Sequence, residues 1–386
     1  MSEVATICGV GTTKFGKQPN IPARELVWEA VSEAILDAKI NPKQIDAVFA
    51  GTVFGDPGVA TRSLQQLGID GVPIITIENA CASSTSAFHE GCASISTGRY
   101  ETVLALGIET MTASFSGAIP PILSDPEGAQ GFAMPALYGM SATRYQHEFG
   151  VTNSQLAAVS VKNHGHGKNN SRAQHRKTPT LEEVLGSPMI SSPLTLLQCC
   201  SIADAAAAAI LRPAGTPEGV RVRSSSLKSG GLWDQRSKLV WGWQIVADTS
   251  RDAYEKAGVS AQDVDVFEVH DAFTIGEIIT TEALGLTELG GGGRLVELGH
   301  TSMGGSQPVN PSGGLLSRGH PLGATGLAQI AEIVWQLRGD AGPRQVANAR
   351  LGVVETMGGG TAGVDGNACV VTVLESPATQ GSSTSK

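Results

Sequence analysis

The feature that most constrains this chain is that it repeats itself. ILDAKINPKQIDAVFAG at 35–51 matches AYEKAGVSAQDVDVFEV at 253–269 as a helix end, a turn, an aspartate and a strand, and a shift of 219 sets Asp46 opposite Asp265. A second pair matches in form rather than identity. NACASSTSAFHEGCASISTG and RGHPLGATGLAQIAEIVWQLRG each read as a turn, one reactive residue, small residues and an amphipathic helix. Around these segments, buried-strand runs such as ATICGVG, IDAVFAG, ETVLALGIE and ACVVTVLE alternate with helical patterns such as ARELVWEAVSEAILDAK. The combination predicts an α/β protein built of two similar halves.

Between the halves the texture changes. Residues 116–190 are rich in proline, glycine and charge, and end in the His- and Asn-rich KNHGHGKNNSRAQHRKTP. They read as an inserted, loop-like domain. The expected organisation is a first half over 1–115 plus 191–240, the insertion over 116–190, a second half over 241–376, and a disordered polar tail over 377–386.

Composition narrows the function. With 36 acidic against 27 basic side chains, the net charge of −9 argues against nucleic acid as a partner. No stretch reaches about 18 uninterrupted apolar residues, so no membrane span is expected. The N-terminus lacks a secretory pattern, and the protein is expected in the cytoplasm. Six scattered cysteines without a CxxC pair read as reduced thiols, with the adjacent Cys199 and Cys200 buried. His164, His166 and His175 lie in a hydrophilic stretch without a carboxylate partner, which fits a solvated loop or one facing phosphates better than a metal site.

Three positions carry chemistry. In IENACASSTSAF, Cys81 stands at a strand-to-helix turn, where the free N–H groups and dipole of a helix start favour thiolate. In NPSGGLLSRGHPLGATG, His320 sits between Gly319 and Pro321 ahead of a glycine-spaced helix start, placed to take a proton from a thiol. The absence of GK[ST] excludes a Walker phosphate loop there. In DVFEVHDAF, His270 and Asp271 follow a strand over 264–269 and open a helix, at the strand end where α/β sheets bind ligands. Two related halves can face these junctions toward each other, bringing Cys81, His270 and His320 into one site.

ENACASS, VHDAF, NPSGGLLSRGHPLGATG and the terminal glycine run together resemble the thiolase superfamily. The sterol-carrier-protein type is the nearest in pattern, with HDxF where other thiolases have NEAF. The resemblance covers roughly residues 4–375. It implies two αβα halves stacked in five layers (αβαβα), with a loop domain inserted in the first. It implies an acyl-CoA C-acyltransferase that cleaves a 3-oxoacyl-CoA with CoA, or runs the reverse Claisen condensation. Coenzyme A is then a substrate, and no cofactor is permanently bound. The position matching Cys81 becomes S-acylated, and that matching His320 takes the thiol proton. His270 resembles the group that holds an oxyanion, and Gly358 resembles a backbone oxyanion donor. Such donors are each worth about 3–4 kcal/mol of transition-state stabilisation. A homodimer is implied, and some relatives work with a small OB-fold, zinc-ribbon partner.

One departure stands out in VVETMGGGTAG. Many thiolases carry CxGGG there, with the cysteine moving a proton to and from the substrate α-carbon. Here Thr356 takes that place and Met357 follows, and neither titrates near neutrality. Some sterol-carrier-type enzymes put the thiol inside HDxF, where this chain has Ala272. His270, His320, Glu355 or a bound water are left for the proton, His270 first. The departure shifts weight toward specialised enzymes for bulky or aromatic substrates, with Phe132, Met134, Leu137 and Met140 shaping the acyl pocket or packing on the core. Multi-component acyltransferases, a retro-aldolase and a non-catalytic subunit are the other readings; the presence of Cys81 opposes the last two.

Overall fold

A computed structural model describes residues 3–360 and 362–377. Most of the tail expected over 377–386 therefore lies outside the described residues. Nine strands form the main sheet: β1 (Ala5–Thr12), β2 (Ala47–Gly51), β3 (Ile74–Ile77), β4 (Val103–Glu109), β5 (Ala205–Arg212), β6 (Val220–Lys228), β7 (Val266–Glu268), β8 (Leu351–Gly358) and β9 (Ala368–Glu375). Their order is β3-β2-β4-β5-β1-β6-β9-β8-β7. The middle link is thin, because β1 and β6 pair only through Ala5–Val222, Thr6–Arg221 and Ile7–Val220.

The internal repeat is visible in this order. β2 beside β4, then β5 and β1, corresponds to β7 beside β8, then β9 and β6, mirrored about the β1–β6 link. The aspartates aligned in the sequence do the same job in both halves. Asp46 Oδ2 accepts the amides of Glu101 and Thr102 at 3.0 and 2.8 Å, at the entry to β4. Asp265 Oδ2 accepts those of Arg350 and Leu351 at 2.8 and 2.9 Å, at the entry to β8. The first half has β3 at its edge, whereas the second has a single parallel bridge, Phe267–Val309. β6, within the stretch assigned to the first half, lies along β9 of the second.

The helices complete the layers. α1 (Ala23–Ala38) covers β1 and β5 on one outer face. Two helices lie between the halves: α2 (Ser83–Ser96) packs on β2 and β4 and also touches β6 and β9. Its counterpart α7 (Thr325–Arg338) packs on β8 and also touches β5, β1 and α2. Thr325–Val334 are all buried, with the polar side chains among them paired, Gln329 to Thr356 and Glu332 to Arg344. On the other outer face α5 (Trp243–Ala257) covers β6 and β9, and α6 (Thr274–Ala283) packs on it. Helix, sheet, helix, sheet, helix is the five-layered order.

The insertion is more helical than its composition implied. It holds α3 (Met134–Phe149) and α4 (Asn153–Gly167). Leu137, Tyr138, Ser141, Ala142 and Tyr145 recur at helical spacing and are buried, and Thr152 with Gln155 forms a capping box at the start of α4. Pro135 falls at the start of α3, where its missing N–H costs nothing. Both helices pack on α6, so this segment reaches the second half. Among the described residues no helix is long and apolar enough to cross a membrane.

Candidate active site

Cys81 stands between β3 and α2, one residue before the helix cap at Ala82. The turn is held open by Ala80, whose φ of 49° is rare for a residue with a Cβ. Ser83 stabilises it, its hydroxyl accepting the Asn79 amide at 2.9 Å and donating to the Ala80 carbonyl at 2.6 Å. Such local strain persists where the surroundings over-determine it, commonly at reactive residues.

The second half delivers His320 to this turn. Its Nε2 lies 3.2 Å from Cys81 Sγ. Its Nδ1 lies 2.7 Å from Thr325 Oγ1, which donates to the Pro321 carbonyl at 2.9 Å. A hydroxyl has one proton; with that proton on Pro321, Thr325 accepts from Nδ1–H and leaves Nε2 bare toward the thiol. Two ties from the first half hold the loop in place. Glu109, at the end of β4, accepts the amides of Gly323, Val53 and Phe54 at 2.9–3.0 Å. Gly107 lets the loop approach, since a Cβ there would meet the Gly323 carbonyl at 2.7 Å.

His270 lies in the turn between β7 and α6. The expected helix opening at His270 is in fact at Thr274, because Asp271 serves another element. Asp271 accepts the Leu315 amide at 2.6 Å and Asn163 Nδ2 at 2.7 Å, tying the turn to the segment before His320 and to α4. The His270 amide donates to Glu355 Oε2 at 2.9 Å. The two imidazoles meet edge to face with centroids 5.1 Å apart. Cys81, His270 and His320 each present a donor atom within 4.8 Å of the others, so the sequence-predicted residues converge.

Burial decides their charge states. The Cys81 thiol is pushed up to about 12, mainly by desolvation, although the amides of Gly359 and of Cys81 itself pull the other way. The helix start therefore does not leave a free thiolate, and a base is required. Desolvation also pushes His320 well below its ordinary range, aided by His270 and the Arg318 cation. His270 falls to about 3 for the same reasons, burial first and then Arg318. The resting site is a neutral thiol beside two neutral imidazoles.

The remaining candidates are placed differently. Thr356 is fully buried and donates to Gln329 Oε1 at 2.7 Å, so its hydroxyl is engaged with α7. Glu355 is buried behind His270, and desolvation raises its carboxyl to about 7. Gly358 ends β8, where a Cβ would run into the Asn79 carbonyl; Gly359, next along, reaches the cavity.

That cavity, about 340 Å³, is lined by Cys81, His270 and His320 together with Met134, Tyr138, Phe273, Leu322 and Met357. Cys199 and Cys200 also line it, rather than being inert buried thiols. Of the four apolar residues expected around an acyl pocket, Met134 lines the cavity, Leu137 is packed in the core, and Phe132 and Met140 are exposed on its outside. Sequence reasoning missed Tyr138, although it follows Leu137 on the same helix. Of the three histidines expected on a solvated loop, His175 is half-buried and two are buried. His164 and His166 are buried on α4, with His166 bonded through Nδ1 to the Asn310 carbonyl and through Nε2 to the Met303 amide.

Family models match almost the whole chain: "Thiolase, N-terminal domain" over residues 5–215 and "Thiolase C-terminal domain-like" over 232–370. The chain belongs to the thiolase family. An acetyl-CoA acetyltransferase of Methanothermobacter thermautotrophicus is 41% identical over 380 residues, covering 94% of this chain and 99% of that protein. Human sterol carrier protein 2 is 37% identical, over 92% of this chain and 70% of its own length. Benzoylsuccinyl-CoA thiolase subunit BbsB of Thauera aromatica is 35% identical, over 92% and 94%. This thiolase is accordingly an enzyme, an acyltransferase. Among solved structures, an Ltp2-ChsH2(DUF35) aldolase superposes with a TM-score of 0.83 at 22% identity, covering 96% of this chain and 97% of that one. Human mitochondrial 3-ketoacyl-CoA thiolase in complex with CoA superposes with a TM-score of 0.74 at 19% identity, covering 98% and 100%. At these identities both likenesses speak to the thiolase fold alone.

Proposed function

We propose that this thiolase cleaves a 3-oxoacyl-CoA with coenzyme A, or runs the reverse condensation, through an S-acyl intermediate on Cys81. The observation that carries this is the 3.2 Å contact between Cys81 Sγ and the bare Nε2 of His320. As the thiol attacks the 3-oxo carbon its proton passes to His320. Neutral His270 faces the same space and donates a hydrogen bond to a developing oxyanion. Backbone amides of the Gly358–Gly359 turn and of Cys81 would hold the thioester oxygen. Donors fixed in a dry cavity need no reorganisation as charge develops, which is the larger part of their effect. Splitting one difficult C–C step into two thioester exchanges supplies the rest.

The cavity supports an apolar, bulky acyl chain, because Met134, Phe273, Leu322 and Met357 surround the nucleophile. Coenzyme A enters as substrate, with no permanently bound cofactor, and the enzyme works in the cytoplasm. A homodimer is supported by β3, an edge strand with Ile75 exposed. A second, small partner subunit is supported by the Thauera relative, which is named a subunit.

The test is intact-mass spectrometry after mixing the protein with an acyl-CoA. An adduct that maps to Cys81 is expected; full thiolysis by Cys81→Ala would exclude the covalent route.

A further inference from the structure

Cleaving a 3-oxoacyl-CoA leaves the electron pair of the broken bond on the α-carbon, and some group must protonate it. Neither position that carries a thiol in related enzymes has one here, since residue 356 is threonine and residue 272 is alanine. We propose that the Tyr138 hydroxyl is the acid that protonates this carbon, and the base that removes the proton in the condensation direction. The assignment rests on the acyl-transfer reading above.

Three observations converge on Tyr138. It lines the cavity that holds Cys81, His270 and His320, yet its side chain is only 2% exposed. Its ring is fixed, stacked on Phe273 at 4.4 Å and edge-on to Trp241 at 5.5 Å. Among the described residues no hydrogen bond engages its hydroxyl, which leaves it available to the cavity its side chain lines. Burial first, and then Cys81, Glu355 and Cys200, raise its pKa well above 10, so it keeps its proton through the neutral range. His270, the group the sequence put first, has no spare proton to give near neutrality, because burial and Arg318 lower it to about 3. It keeps the hydrogen-bonding part.

The protons balance. Cys81 adds to the 3-oxo carbon as its proton passes to His320. The tetrahedral adduct collapses, the bond between the α-carbon and the carbonyl carbon breaks, and the pair takes the Tyr138 proton. The acyl group stays on Cys81 and the shortened thioester departs. Incoming CoA then gives its thiol proton to the phenolate and attacks the acyl-cysteine. Cys81 leaves with the proton held on His320.

The test compares wild type with Tyr138→Phe, which preserves the ring stack, and with Cys200→Ala, which removes one of the two thiols that line the cavity besides Cys81. Two rates are measured: thiolysis of 3-oxooctanoyl-CoA and S-acylation of Cys81 by octanoyl-CoA. A thiolate leaves with far less help than a carbanion, so the second rate senses the nucleophile without demanding the acid. Loss of about 100-fold or more in thiolysis by Tyr138→Phe is expected, with S-acylation changed by no more than about threefold and Cys200→Ala near wild type in both. The proposal is overturned if Tyr138→Phe keeps its thiolysis rate, if it loses both rates equally, or if Cys200→Ala alone shows the selective loss. Wild type that forms no Cys81 adduct would instead refute the acyl-transfer reading, and this assignment with it.

Discussion

Thr325→Val isolates the tautomer of His320. The change is nearly isosteric and removes one hydroxyl, which accepts Nδ1–H of His320 at 2.7 Å and donates to Pro321 at 2.9 Å. Both ends are buried, so water does not replace the lost partner. Leaving a buried donor unsatisfied costs about 1–3 kcal/mol. His320 escapes part of that cost by moving its proton to Nε2, which then points N–H rather than a lone pair at Cys81. Either way the base is weakened by the same free energy, about 5- to 150-fold in the rate of Cys81 acylation. The assay is the time course of the Cys81 acyl adduct by mass spectrometry at saturating acyl-CoA, alongside the melting temperature. Thr325→Ser keeps the hydroxyl and should recover most of the rate. A folded Thr325→Val protein acylated as fast as wild type would refute the assigned tautomer.

Other expectations concern the walls of the site. Alkylation of Cys81 by iodoacetamide should be slow at pH 7 and keep rising to at least pH 9, since burial holds the thiol near 12; a plateau below pH 8 would mean a preformed thiolate. Glu109→Ala orphans the buried Gly323 amide and the part-buried amides of Val53 and Phe54, and should destabilise the fold by about 1–3 kcal/mol while lowering acylation through the His320 loop, read by urea denaturation. Gly358→Ala pushes a methyl group into the Asn79 carbonyl beside Cys81 and should lower activity more than stability. For pH, depressed histidines bind fewer protons folded than unfolded, so stability is lost as pH falls from about 6.5 toward 3. For His270 alone that is about 2 kcal/mol by pH 5, and His270→Asn should flatten the acid limb of a urea-midpoint profile.

Much of the fold was legible because it is repeated. Asp46 and Asp265 could be aligned from sequence, and each proves to cap the strand next in its own sheet. Cys81 and His270 were legible for a related reason: each follows a strand and precedes a helix, and such junctions gather on one side of an α/β sheet; His320 was expected at such a junction too, but it lies between the short helix Gly314–Arg318 and the helix from Thr325. What stayed hidden depended on solvent exposure rather than pattern. Helix α4 carries His164 and His166 inward, although their Lys- and Asn-rich neighbours suggested a wet loop; the polar groups are satisfied by long-range partners such as Asn310, which no local pattern announces. Tyr138 was hidden because an aromatic on a helix face reads as core, and only the cavity beside it gives its hydroxyl a different meaning.

The state of the two histidines links the halves chemically. Their rings are 5.1 Å apart, and the Arg318 cation acts on both. Like charges that close in a dry site cannot coexist cheaply, so the pair holds at most one proton during turnover. When Cys81 attacks, that proton belongs on His320, which the 3.2 Å contact and the Thr325 hydroxyl favour. His270 must then stay neutral, and a neutral imidazole can donate a hydrogen bond to an oxyanion without competing for the proton. Where His320 keeps that proton for the departing Cys81, the α-carbon takes its proton from outside the histidine pair, which is the physical reason for a third protonated group in this cavity.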